Sequence, residues 1–132
     1  MRPVYASNTH IPELNAQTGA FVSQLCFGRP DQIERYCSMA VFHGEQLVAG
    51  TLYHNWQPDS GVIELTSAST DRRWLTKPVV RAMFHMAFGM IGAQLVALRV
   101  SERNAGMVAI AQRFGFQGTL IPRLRGRDES EW

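Results

Sequence analysis

Glu64 is the only carboxylate in the β-prone run VIELTSAS, residues 62–69. A carboxylate on a strand that a sheet buries is costly to leave without a partner. Glu64 should therefore have a partner, such as a neighbouring Arg or Ser, or a raised pKa. His54, in the run TLYHNW, and His43 are weaker candidates for a base, because a strand His is more often a satisfied structural residue. A second set is basic. Arg72, Arg73 and Lys77 precede or open a helix-like segment. The free N–H groups and positive dipole end of a helix start favour anions, and cationic side chains add charge-assisted bonds to phosphate. The plain alternative is that these are solvated loop residues. Asn104 separates the strand-like QLVALRV from a helix-like segment. It is a good helix cap, and its amide keeps donor and acceptor capacity for a ligand. Arg123, Arg125 and Arg127 alternate along a last strand, as a solvated edge or as a contact for an acidic or nucleic-acid partner.

Other chemistries lose ground by absence of their motifs. The sequence contains no G-x-x-x-x-G-K-S/T, G-x-G-x-x-G, H-E-x-x-H, paired C-x-x-C or G-x-S-x-G. The four His residues are scattered, and no metal site is expected. Cys26 and Cys37 are too few and too loosely spaced for a disulfide framework or a zinc site, and read as small buried hydrophobes of a reducing cytoplasm.

The elements that must position these residues follow from periodicity. IPELNAQTGAFVSQLCFG reads as a helix ended by Gly28, with Leu14, Phe21, Leu25 and Cys26 as its apolar side and Gly19 as a point of weakness. Residues 38–43 and 46–56 form a hairpin through the two-residue turn Gly44-Glu45. QPDSG is a second turn, and 62–69 is a third strand with Ile63 and Leu65 on one face and Glu64 and Thr66 on the other. Residues 76–92 form the strongest helix, with Val80, Phe84, Ala87, Phe88 and Ile91 as its apolar stripe, Pro78 in its first turn and Gly92 as its stop. Residues 94–100 read as a strand buried on both faces, the segment from Asn104 to Gly115 as a helix, and 116–126 as a last strand with Pro122 at an edge or bulge. The strand–helix–strand unit from 62 to 100 should make a right-handed parallel crossover. The expected fold class is α/β (α+β): a mixed, mainly antiparallel sheet of about six strands, with helices on both faces.

The bulk properties suit one compact domain. The chain has 132 residues, 45% of them hydrophobic, and 13 basic against 11 acidic groups. Only Lys77 of the basic residues is Lys, which suits phosphate and carboxylate forks or reflects codon bias. No signal peptide, membrane span, repeat or low-complexity segment is visible.

With the elements in this order, the strand ending RVSERN and the segment NAGMVAIAQRFGF resemble the GNAT superfamily of acyl-CoA-dependent N-acyltransferases. IELTSASTDRRWLTKPVVRAMFHMAF is similar to small phage and prophage members, and the RimJ/RimL-like branch is also similar. The resemblance covers roughly residues 38 to 128. It implies an acetyltransferase that moves an acetyl group from acetyl-CoA to an amine, with no metal. Glu64 would be the base. The backbone of Leu65, Thr66, Ser67 and Ala68 would run beside the pantetheine arm, and Arg72, Arg73, Trp74, Leu75, Thr76 and Lys77 would form the pyrophosphate loop. Asn104 and Met107 would touch the cofactor, and Tyr53, His54 and Trp56 would line the acceptor pocket. The acceptor would be a protein N-terminus, a small amine or a modified base, in the cytoplasm of a bacterial or phage-infected cell. The open sheet edge would suit a homodimer. A non-catalytic GNAT-fold protein that binds a protein or nucleic acid, and a phage-type DNA-modifying acyltransferase, are the alternatives.

The sequence departs from the family pattern in three places. Trp74 stands where the pyrophosphate loop has its first Gly, and Asp71 where it has Arg or Gln. Ala111 replaces a Tyr that serves as general acid. Only DESEW remains after Arg127 for a closing strand, which is expected to be short or missing.

Overall fold

A computed structural model describes residues 1–98, 109, 111–113, 121–126 and 129–131. The chain divides into two compact units, Met1–Ala97 and Leu98–Trp132. The first contains β1 (Arg2–Ala6), α1 (Pro12–Phe27), β2 (Tyr36–His43), β3 (Gln46–Gln57), β4 (Val62–Ser69) and α2 (Lys77–Phe84), which continues as a π-helix from His85 to Ile91 and leads to β5 (Leu95–Leu98), all but the last residue of which lies in this unit. The five strands form one sheet in the order β1-β2-β3-β4-β5, and the first three pairings are antiparallel. The N–H groups of Gln94 and Leu95 both donate to the Gly61 carbonyl, at 2.8 and 3.1 Å. β5 therefore starts beside the start of β4 and runs the same way, as the crossover requires.

The β2–β3 hairpin turns at Gly44, whose φ of 63° suits glycine. β4 spans Val62–Ser69 as expected. β1 was not expected: RPVYA is short and carries Pro3, which an edge strand tolerates.

The register sorts the sheet into two faces. Tyr36, Ser38, Gly50, Leu52, His54, Glu64 and Thr66 share one face, and Cys37, Met39, Thr51, Tyr53, Ile63 and Leu65 share the other. α1 covers the first face. The Asn15 amide oxygen accepts from Ser38 Oγ at 2.7 Å, and Asn15 Nδ2 donates to the Tyr36 carbonyl. The buried residues of α1 are Asn15, Thr18, Gly19, Val22 and Ser23. This corrects the expected apolar side, since Leu25 is exposed and Leu14, Phe21 and Cys26 are half-buried. The reason is closeness. A methyl group on Gly50 would lie 2.6 Å from Thr18 Cγ2 and 2.9 Å from Val22 Cγ2, and one on Gly19 would overlap the Tyr36 phenol. Only small side chains fit between this helix and this sheet. Gly19 does not break α1; it makes room for Tyr36.

α2 covers the second face, with Tyr5 Oη donating to the Ala82 carbonyl at 2.6 Å and Tyr53 Oη to the Met83 carbonyl at 2.7 Å. Gly92 ends the helical stretch with φ 86°. The inward residues are Val79, Met83, Met86 and Ala87, not the expected stripe: of that stripe only Ala87 is buried, while Phe88 is exposed and stacks on Phe84 at 6.1 Å. Leu95 is exposed too, so β5 is not buried on both faces at its start.

In the second unit, Ala109 and residues 111–113 are helical and Ala111 is buried. β6 (Ile121–Gly126) and β7 (Glu129–Glu131) pair antiparallel, so the tail after Arg127 carries a three-residue strand. Asn104 and Met107 lie outside the described residues.

Candidate functional site

Glu64 is half-buried near the start of β4. Its register partner is His54 on β3, so the two side chains rise from the same face of the sheet. His54 is 8% exposed, and its Nε2 lies 2.8 Å from Thr66 Oγ1. Asn55 Nδ2 donates to Glu64 Oε2 at 2.7 Å. A carboxylate, an imidazole, a hydroxyl and an amide are thus gathered where β3 and β4 begin to separate in register. Such a group can accept a proton.

The irregularity in β3 makes this gathering. His54 faces Glu64 and Gln57 faces Val62, so Asn55 and Trp56 stand opposite Ile63 alone. That is a β-bulge, and its first residue, Asn55, has φ 52°. Trp56 follows it and is 39% exposed. Tyr53 does not join this group. It points to the opposite face, is 2% exposed, and is held beneath α2 by its bond to Met83. Burial pushes its phenol well above the ordinary tyrosine range, with smaller contributions from Tyr5 and Cys37. Strand alternation puts it one residue out of phase with His54, so these two residues, both expected in one acceptor pocket, face opposite ways.

Downstream, β4 leads through Thr70–Leu75 to the start of α2. The loop is knitted by Ser69, whose Oγ donates to the Asp71 carbonyl and accepts from the Asp71 N–H. Arg73 is forked onto Asp71, with Nε to Oδ1 at 3.2 Å and Nη2 to Oδ2 at 3.1 Å. This hydrogen bonding holds the Asp71 carboxyl below the usual carboxylate range. Arg72 and Lys77 are exposed, Leu75 is half-buried, and Trp74 is buried. Trp74 accordingly anchors the loop to the interior and does not offer the open backbone that a glycine would.

At the start of α2, Thr76 occupies the cap position in an extended conformation, but its side chain makes no capping bond. Its Oγ1 is shielded from solvent and has no hydrogen-bond partner. A buried hydroxyl without a partner is a cost that a ligand oxygen would remove. The positive dipole end of α2, with Arg72 and Lys77 exposed beside it, favours an anion such as a phosphate ester. Leu65 is buried on the α2 face, and Thr66, Ser67 and Ala68 are half-buried. Ser67 Oγ lies 2.8 Å from Thr51 Oγ1, and the Ser67 carbonyl accepts from Cys26 Sγ at 3.6 Å. His43 is exposed at the end of β2, away from Glu64 in register. Burial raises the Cys37 thiol, and neither Cys37 nor Cys26 forms a disulfide.

Asn55 was not among the expected site residues. Its sequence signal is an Asn inside a β-prone run, the residue type most tolerant of positive φ after Gly. Among the described residues, no cluster of three or more His, Cys, Asp or Glu could hold a metal ion, and no helix is long and apolar enough to cross a membrane.

No protein-family model matches this sequence, and no curated protein matches it. Solved structures do match in fold. One is aminoglycoside N-acetyltransferase AAC(6')-Iy in complex with CoA, with TM-score 0.62 and 19% identity over 89% of this chain and 88% of that one. Another is a candidate acetyltransferase from T. thermophilus, with TM-score 0.60 and 15% identity over 73% of this chain. The match spans only 55% of the T. thermophilus chain. A third is a candidate acetyltransferase from Clostridium difficile 630, with TM-score 0.53 and 11% identity over 89% of this chain and 91% of that one. The five-stranded, mainly antiparallel sheet with its strand–helix–strand crossover is thus a fold shared with these solved acetyltransferase structures.

Proposed function

We propose that this protein is an acyl-CoA-dependent N-acyltransferase, with acetyl-CoA or a close relative as donor and an amine as acceptor. The observation that carries the reading is the course of β4. It bears Glu64 near its start and leads to the opening of α2, where the Thr76 hydroxyl is buried without a partner. One strand thereby joins a proton acceptor to a phosphate-binding terminus.

In the proposed reaction, Glu64 takes a proton from the acceptor ammonium, directly or through water. The amine nitrogen then attacks the thioester carbonyl carbon. The C–S bond breaks, and the CoA thiolate leaves and takes up a proton, giving an amide and CoA. The main chain of residues 65–68 would run along the pantetheine arm. The Thr76 hydroxyl, the positive end of the α2 dipole and the exposed Arg72 and Lys77 would hold the diphosphate. With Arg73 tied to Asp71, Trp74 and Leu75 support this loop. His54 and Trp56 are on the acceptor side.

Isothermal titration with acetyl-CoA and with CoA tests the donor. Binding of both is expected, and absence of heat at millimolar ligand would overturn the reading. Release of CoA thiol in the presence of a panel of amines (a polyamine, a peptide N-terminus and an aminoglycoside) then identifies the acceptor class.

A further inference from the structure

We infer that Asn55 is a positioning residue for Glu64, acting through the amide bond that it donates across the β3–β4 bulge; the inference deepens the acyltransferase reading and rests on it. The bulge sets two residues, Asn55 and Trp56, against Ile63. Its first residue has φ 52°. In a bulge of this kind the first position is the one that glycine fills, because a left-handed backbone carries no penalty without a Cβ. Among the other residues, Asn tolerates this conformation best. Glycine would therefore serve the backbone better, and what Asn adds is its side chain. That side chain donates to Glu64 Oε2 at 2.7 Å. A backbone conformation disfavoured for any residue but Gly, kept beside the one carboxylate of a central strand, is the pattern of strain held at a functional site.

The same bulge sets the direction of the bond. Regular pleating would send the side chain at 55 to the face opposite His54 and Glu64. The left-handed turn at Asn55 returns it toward Glu64. The amide then engages one named oxygen of the carboxylate and fixes its rotation. For a general base, orientation toward the ammonium is a rate term, because a misdirected carboxylate still binds its neighbours but does not meet the proton.

Asn55→Gly is the decisive variant, since it keeps or relaxes the backbone and deletes only the amide. Asn55→Asp retains the left-handed preference but places a carboxylate, and no donor, beside Glu64. In steady-state kinetics, both variants should lower kcat roughly ten- to a hundredfold and leave the acetyl-CoA KM unchanged, with Asn55→Gly no less heat-stable than the wild type. Crystal structures of wild type and Asn55→Gly should show Glu64 in one conformation in the first and in several in the second. Unchanged kcat in Asn55→Gly overturns the inference, and so does a Glu64 carboxylate that stays in place without the amide. If the wild-type protein turns over no acyl-CoA, the acyltransferase reading fails by itself, and the two structures still decide whether Asn55 positions Glu64.

Discussion

Tyr53 reaches across the interface between sheet and helix to donate its hydroxyl to the carbonyl of Met83, 2.7 Å away. Met83 stands at the end of α2, where the α-helix gives way to the π-helix that starts at His85. A change from i→i+4 to i→i+5 bonding displaces carbonyls from their usual partners. The phenols of Tyr53 and Tyr5 supply donors to two neighbouring carbonyls at that change, Met83 and Ala82. Tyr53→Phe removes one of them and leaves a buried carbonyl short of a bond. It should lower stability by about 1 kcal/mol at neutral pH in urea denaturation.

The same residue should make the protein sensitive to alkali. Burial raises the folded-state pKa of Tyr53 above its unfolded value, so the folded state holds this proton more tightly. The contribution is fully present below the unfolded value of about 10 and is lost as pH rises beyond it. Urea midpoints should fall as pH rises above about 10, and the fall should be shallower in Tyr53→Phe. Parallel slopes in the two proteins would refute the assignment.

Gly50 is the second test of packing. The added methyl of Gly50→Ala meets Thr18 Cγ2 and Val22 Cγ2 of α1. Neither is the far end of a flexible side chain, so the helix must shift. A loss of about 1–3 kcal/mol is expected. Thr18→Ser removes one of the two clashing methyls, and the double variant should regain part of the loss in the same measurement.

The contact at Gly50 also explains what could and could not be read from residue types. Turn chemistry at Gly44-Glu45 and Gly92, and the alternation through Ile63, Glu64 and Leu65, are local signals, and they placed the hairpin, the end of the second helix and β4 correctly. The inner face of α1 carries Asn15, Thr18, Gly19 and Ser23. No hydrophobic pattern marks it, because Tyr36 and Gly50 on the sheet decide what fits. Glu64 and His54 stood out as titratable residues on strands. Asn55 did not, because a one-residue bulge changes the pleat without changing composition.

Ser23 gives a prediction of opposite sign. It is 1% exposed, and its Oγ has no hydrogen-bond partner. Ser23→Ala removes a desolvated hydroxyl and improves helix propensity. A gain of about 1 kcal/mol in urea denaturation is expected. A loss would show that the hydroxyl is satisfied in solution.

Thr76→Val probes the phosphate terminus without touching Glu64. The hydroxyl makes no bond within the chain, so replacing it with a methyl should not lower the melting temperature. If it binds the diphosphate of the donor, CoA affinity should fall roughly tenfold in calorimetry. A variant that binds CoA like the wild type would remove Thr76 from the site and leave Arg72 and Lys77 to account for phosphate binding.

Glu64→Gln separates chemistry from binding. Gln is nearly isosteric and retains a carbonyl oxygen that can accept from Asn55 Nδ2, so the bulge and the neighbouring His54–Thr66 pair should persist. What it loses is the ability to take a proton. With Glu64 as the base, kcat should fall roughly a hundred- to ten-thousandfold, with CoA affinity and melting temperature unchanged. Each half of the result is informative. A rate loss accompanied by weaker CoA binding would make Glu64 a scaffold for the donor strand. An unchanged rate would move the base to His54, the nearest titratable group in register with Glu64 on the same face of the sheet.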